Sequence, residues 1–324
     1  MVGRGEYVVG RGEYRYAVDP DWAQLPAGVV LDDIPGVAVD SADRVFLFTR
    51  GPLPVLVFER NGKYLDAWGS GEFVGTHGIY VAPDDTVYCV DHKGHRIKRF
   101  TGDGALIQEI VGETPSHTGY VWGKPETVVS AAAPFCYPTN VCHSPDGDLY
   151  VADGYGNARV HRFSASGNLI SSSGAPGSGP GEFRTPHGIL VDRHGTIYVG
   201  ETGNSRVQVF DLDGTWKAEW TDVQRGSHLC VDGADSIYIA EAGHVWHGWP
   251  GPMSPDRSAP RARITVRDRT GVILAEFGRD DVFFSPHGMA VDSQGDVYVA
   301  EVPKSACGGA APPDYVPLTK YVRR

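Results

Sequence analysis

Residues 184–201, RTPHGILVDRHGTIYVGE, return almost unchanged at 284–301 as FSPHGMAVDSQGDVYVAE. The shared core is an apolar run, an aspartate turn and a second apolar run built around tyrosine. It recurs at 34–50, 76–91 and 138–153, and in degenerate form at 227–241. Six copies at a spacing of about 40–60 residues constrain the chain to a repeat architecture. Each copy predicts two strands joined by a tight turn. A third strand follows in RIKRF, RVHRF, RVQVF and RITVRD, and a fourth in KYLDAWG, TWKAEW and VILAEFG. Four antiparallel strands per repeat make a propeller blade, so the predicted fold is all-β, a six-bladed β-propeller. A solenoid would need polar capping repeats, and the sequence has none. Glycine fits this reading: 42 of 324 residues, roughly twice the usual share, supplies many tight turns.

Ring closure has a candidate in YRYAVDPDWAQL at 14–25, a strand able to complete the last blade, whose own third strand is LTKYVRR. Residues 14–324 are thus expected to form a single propeller domain. Residues 1–13, with VGRGEY written twice, are expected to be a poorly ordered arm. Two insertions interrupt the pattern, at 112–134 and 242–262.

A net charge of −11 argues against nucleic-acid and anionic-membrane partners. No apolar run approaches the length of a membrane span, and the start lacks a signal-peptide core. Five cysteines with no C-x-x-C pair suit a cytoplasmic protein with free thiols.

The first strand of a blade lines the propeller channel. His77, His187 and His287 each begin a first strand, in repeats two, four and six. Alternate blades are related by about 120°, so three imidazoles should converge, leaving coordination open for water or substrate. Any one of them alone would read as a buried structural histidine; three in alternating blades predict a divalent metal, zinc above all. The intervening repeats carry Pro35, Thr139 and Ser227, and His228 falls one place late, outside the predicted ligand set.

Departures from the repeat mark further candidates. The second strand ends in Asp91, Asp153, Glu201, Glu241 and Glu301, but Arg50 stands there in repeat one. It reads either as a salt-bridge partner or as a charge-stabilising group. Repeat three carries an extra residue near Tyr155, which is either a packed rim aromatic or a general base. Arg96, Arg159 and Arg206 recur in register and read as structural. The insertions bring His117, Tyr120, Trp122, His244, Trp246, His247 and Trp249 to the same face, as a lid or substrate wall. HVWHGW within the second, with two histidines and no third ligand, is weak evidence of a second metal site.

These motifs resemble the NHL repeat, and their combination resembles peptidyl-α-hydroxyglycine α-amidating lyases. The likeness spans roughly residues 30–302. That family's strand-to-RG motif is similar to GVAVDSADRVFLFTRG and places its active-site arginine on Arg50. Its PHG histidine falls on His77 in THG. Its FC-x-PT…DGY segment is similar to FCYPTNVCHSPDGDLYVADGY and places its tyrosine on Tyr155; PGEFRTPHG and the last PHG give His187 and His287. The resemblance implies a zinc lyase acting on a small carbinolamide substrate that carries a carboxylate, with Tyr155 and Arg50 catalytic. A family disulfide in blade three keeps Cys136 but meets Gly156 at its partner position, and the aspartate that helps hold structural calcium is Gly288 here. Two other readings stay open from the residues alone: a metal-dependent hydrolase or hydratase, and a non-enzymatic NHL scaffold that binds a partner.

Overall fold

The structure is a computed structural model, and it describes residues 7–115, 117–243, 262–278, 283–307 and 315–324. Among the described residues the chain folds into six antiparallel sheets, five of four strands and one of five. This is a six-bladed propeller; among the described residues the only helices are one α turn, Pro303–Cys307, and a 3-10 turn, Pro125–Thr127. Among the described residues no helix is long and apolar enough to cross a membrane.

One device shapes the hairpin of most blades. Asp192 Oδ1 accepts the backbone N–H groups of His194 and Thr196 at 2.9 and 2.8 Å. Asp292 does the same for Gln294 and Asp296, and Asp232 for Ala234 and Ser236. The residue three past the aspartate is left-handed, with φ of 80° at Gly195, 81° at Gly295 and 64° at Asp235. That conformation explains why only Gly, Asp or a similar small residue stands there. The tyrosine of the second strand then reaches back: Tyr238 and Tyr298 donate their hydroxyls to Asp232 and Asp292, each at 3.1 Å. The sequence motif is therefore a hydrogen-bonded turn anchored to the core.

Residues 1–67 with 230–324 form one compact unit and residues 68–229 another. The second holds blades two, three and four, whose first strands are Thr76–Val81, Pro138–His143 and Pro186–Val191. Its core packs Tyr150, Ala152, Val160, Phe183, Ile189, Val199 and Phe210 between adjacent blades, all buried. Burial of each large side chain stabilises by about 1.5–3 kcal/mol.

In the first unit, Leu318–Arg323 pairs with both Val297–Glu301 and Tyr14–Asp19, in register Tyr16↔Arg323 and Ala17↔Val322. The last blade is thus built from both ends of the described chain. Tyr16 is fully buried and shares a 2.9 Å hydroxyl contact with Tyr238. The expected arm over 1–13 needs correcting in its second half: Val8–Arg11 is an ordered edge strand paired with Tyr14–Asp19. Alternating hydrogen bonds to a neighbouring strand hold it, which the duplicated VGRGEY conceals because its glycines suggest a flexible arm. Residues 1–6 lie outside the described residues.

The acids that end the second strands are structural. Asp91 accepts the N–H groups of Gly75 and Gly94, Asp153 that of Cys136, Glu201 that of Arg184, and Glu301 those of Phe284 and Ser285. Each carboxylate latches the entry of its own first strand to the exit of its second. Arg206 is clamped by Glu201 at 2.6 Å, Glu219 at 2.8 Å and three backbone carbonyls.

Candidate metal centre

His77, His187 and His287 are each no more than 2% exposed. Their placement follows from a kink common to their blades. The first strand breaks register just at the histidine, between Thr76 and Ile79, Pro186 and Gly188, and Pro286 and Gly288. Such a bulge re-aims one side chain out of the pleat. The glycine that follows is required by a close backbone approach: a Cβ at Gly78 would lie 2.7 Å from Thr139 O, and one at Gly188 would lie 3.0 Å from His228 Cα.

Each imidazole is oriented by a backbone carbonyl. His77 Nδ1 lies 2.6 Å from Thr139 O, His187 Nδ1 2.6 Å from Ser227 O and His287 Nδ1 2.7 Å from Pro35 O. A carbonyl only accepts, so all three Nδ1 atoms carry a proton, and in the neutral ring each Nε2 presents a lone pair. This is the orienting contact typical of metal-bound histidine. One ligand atom from each of the three histidines lies within 4.8 Å of the others.

Tyr155 joins two of them. Its hydroxyl is 3.0 Å from His77 Nε2 and 3.0 Å from His187 Nε2. One phenol proton cannot serve both lone pairs together, whereas a cation can. A cluster of neutral imidazoles with their Nε2 atoms turned together is a donor set suited to a divalent transition metal.

Arg50 is not in the position the sequence suggested. Glu201 follows its turn aspartate, Asp192, by nine residues and Glu301 follows Asp292 by nine, but Arg50 follows Asp40 by ten. Thr49 therefore occupies the acid's place, and Arg50 is the next residue. The pairing agrees: Phe48 opposes Gly36 as Gly200 opposes Gly188. Arg50 donates its backbone N–H to Asp33 O at 2.9 Å, and its guanidinium bonds Asp33 Oδ2 at 3.3 Å and the Ser305 hydroxyl. Asp33 in turn accepts the N–H groups of Lys304 and Ser305. Arg50 is therefore held in a fixed orientation while its side chain stays partly open to solvent.

This register reveals a residue the sequence reading missed. The position after the acid donates its N–H to the residue two before the histidine position. His92 does so to Gly75 O, Thr202 to Thr185 O and Val302 to Ser285 O. In blade three, with its extra residue, Tyr155 makes the equivalent bond to Tyr137 O at 3.4 Å. Arg50, His92 and Tyr155 are thus one structural position in three successive blades. His92 lies with its ring 5.2 Å from His77 and 6.1 Å from Tyr155. Aligning the residue after each acid would have found it.

The first insertion supplies aromatic cover. Trp122 stacks on His92 at 6.5 Å and packs on Tyr137 at 5.0 Å, and Tyr120 lies 5.1 Å from Tyr137. Trp122 is 57% exposed, so this wall has an open face. His117 is exposed, and among the described residues its backbone carbonyl accepts the Ser130 hydroxyl. His228 bonds Asn140 at 2.9 Å. His244, Trp246, His247 and Trp249 lie outside the described residues.

The chain is 31% identical to human NHL repeat-containing protein 3 over 307 residues, covering 88% of this chain and 80% of that protein. The chain belongs to the NHL-repeat family. A family model described as a 6-bladed beta-propeller matches residues 133–235. This NHL-repeat propeller is also 29% identical to peptidyl-alpha-hydroxyglycine alpha-amidating lyase 1 of Drosophila melanogaster, over 78% of this chain but 48% of that protein. It thus spans about half the length of that relative. Among solved structures, virginiamycin B lyase of Staphylococcus aureus superposes with a TM-score of 0.56 at 15% identity, covering 83% of this chain and 78% of that one. A gluconolactonase of Xanthomonas campestris superposes with a TM-score of 0.58 at 15% identity, covering 91% and 87%. At such identities these two matches speak for the fold.

Proposed function

We propose that the protein is a zinc-dependent lyase. It would cleave the C–N bond of an α-hydroxyglycine-type carbinolamide and release an amide and an α-oxo acid. The observation that carries this reading is the Tyr155 hydroxyl 3.0 Å from the Nε2 atoms of both His77 and His187, whose rings are fixed by backbone carbonyls. Similarity to an amidating lyase supports the choice of reaction.

His77, His187 and His287 would hold the metal, which supplies a Lewis acid that polarises an oxygen of the substrate. Tyr155 is placed to take the carbinol O–H proton. As that proton leaves, the C–O bond becomes a carbonyl and the C–N bond breaks. The proton passes to the departing amide nitrogen, so the reaction consumes no net acid or base. Arg50, aimed by Asp33 and Ser305, steadies negative charge on oxygen as it develops. The aromatic wall of Tyr120, Trp122 and Tyr137 covers the body of the substrate.

The test is incubation of zinc-loaded protein with α-hydroxyhippurate. Benzamide and glyoxylate should form in equal amounts. Failure to form them, together with hydrolysis of simple lactones or esters, would replace the lyase by a hydrolase.

A further inference from the structure

Arg225 has a chemistry that neither the fold nor the residues assigned above require. It stands two residues before Ser227, the place taken by Thr185 in blade four, Tyr137 in blade three and Asp33 in blade one. It shares the left-handed backbone of Thr185 and Tyr137: φ is 59° at Arg225, 52° at Thr185 and 60° at Tyr137. A non-glycine residue is strained there, and such strain is retained where the side chain's aim matters.

Two other arginines close to the core are satisfied by acids. Arg206 has Glu201 and Glu219, and Arg263 has Glu241 and Glu276. Arg159, whose Nε is likewise sealed, gives its Nη1 to the Ser172 carbonyl. Arg225 is half-buried, its Nε is sealed from solvent with no hydrogen-bond partner, and its guanidinium has no ion pair among the described residues. Burial weakens its hold on its charge, and the titratable group acting on it is the Tyr155 phenol. An unpaired, partly desolvated guanidinium is costly, and a planar fork of donors suits a carboxylate.

We propose that Arg225 is the anchor for the carboxylate of the ligand, binding it in bidentate fashion beside Tyr155. This deepens the lyase reading and rests on it for the identity of the ligand: the carboxylate is the one next to the carbinol carbon. The anchor fixes which way the substrate lies, so the carbinol hydroxyl, and not the carboxylate, faces Tyr155. Arg50, by contrast, already has Asp33 as its carboxylate.

Hippurate, which has the carboxylate and lacks the cleavable hydroxyl, is the probe. Its binding is measured by calorimetry on zinc-loaded protein and on the Arg225→Gln, Arg225→Met and Arg225→Lys variants. Affinity should fall at least tenfold in Arg225→Gln and Arg225→Met, and less in Arg225→Lys, with zinc content unchanged. Because the arginine is unpaired without ligand, the ligand-free Arg225→Met protein should melt no lower than the parent, which also shows that it folds. Hippurate bound equally well by parent and Arg225→Gln would overturn the proposal, as would a parent protein that binds neither hippurate nor glyoxylate. The two readings fail separately. Lost hippurate binding in Arg225→Gln with no turnover of α-hydroxyhippurate by the parent removes the lyase and keeps the anchor. Turnover by Arg225→Gln with an unchanged KM keeps the lyase and removes the anchor.

Discussion

Gly156→Cys should create a disulfide with Cys136. The Gly156 N–H donates to Cys136 O at 2.9 Å, so the two residues are neighbours across the loop that carries Tyr155. An ideal Cβ on Gly156 would fall 2.3 Å from Cys136 Sγ, a distance that a small turn of the Cys136 side chain converts into a sulfur–sulfur bond. The tightest fixed contact is Cys136 O at 2.9 Å, so the loop must give by a few tenths of an ångström. Gly156 is not left-handed, and a side chain adds no backbone strain. The bridge closes a loop from 136 to 156, 21 residues counted inclusively. Chain entropy then predicts about 3 kcal/mol of stabilisation, less whatever the tight carbonyl contact costs. Burial and Asp153 push the Cys136 thiol up to about 12, so air oxidation near neutral pH should be slow. Formation is followed with glutathione disulfide at mildly alkaline pH, by thiol titration of the unfolded protein. Urea unfolding with and without reductant then gives the stability difference. A variant that loses no thiols, or that gains nothing when oxidised, would refute the geometry of the Tyr155 loop.

Tyr155→Phe should lower turnover by about 10²–10⁴-fold, the usual scale for a lost proton-transfer group, while zinc binding persists. His143 packs between Tyr80 and Tyr88 and its Nδ1 lacks a hydrogen-bond partner; burial and Arg99 lower its pKa to about 4. The neutral ring is the form the fold prefers, so this contribution is complete above pH 6.5 and is lost as pH falls toward 4. It amounts to at most ~3 kcal/mol, and His143→Phe should flatten urea midpoints over that interval. Glu301 has the opposite sign: burial raises it to about 7, so its contribution is complete below pH 4.5 and lost as pH rises through 7. Glu301→Gln should therefore be more stable relative to the parent at pH 8 than at pH 4.5, read from the same urea curves.

The histidines were legible because repetition exposes register. His187 and His287 sit five residues before Asp192 and Asp292, and the bulge at each strand start acts on the same residue each time. The six sheets were legible because the aspartate turn, its left-handed fourth residue and the tyrosine that reaches back form one local unit. The place of Arg50 is less legible, because Thr49 stands where the other repeats carry an acid and the cation follows it. Only the pairing of Gly36 with Phe48 restores the count. His92 was hidden by being an ordinary residue of a well-formed repeat. Arg225 was hidden because repeat five is degenerate in sequence, and its significance is the absence of an acid, which only packing reveals. Val8–Arg11 pairs with Tyr14–Asp19, the next strand in the chain, and the repeated glycines of VGRGEY hide that hairpin.

The most direct test is the metal content of the reconstituted protein, measured by mass spectrometry of the element beside the His187→Ala variant. The parent should hold one tightly bound zinc per chain, and the variant, missing one of three ligands, should lose it on dialysis. A parent that binds no metal, or a variant that keeps one equivalent at unchanged affinity, would contradict the centre built from His77, His187 and His287.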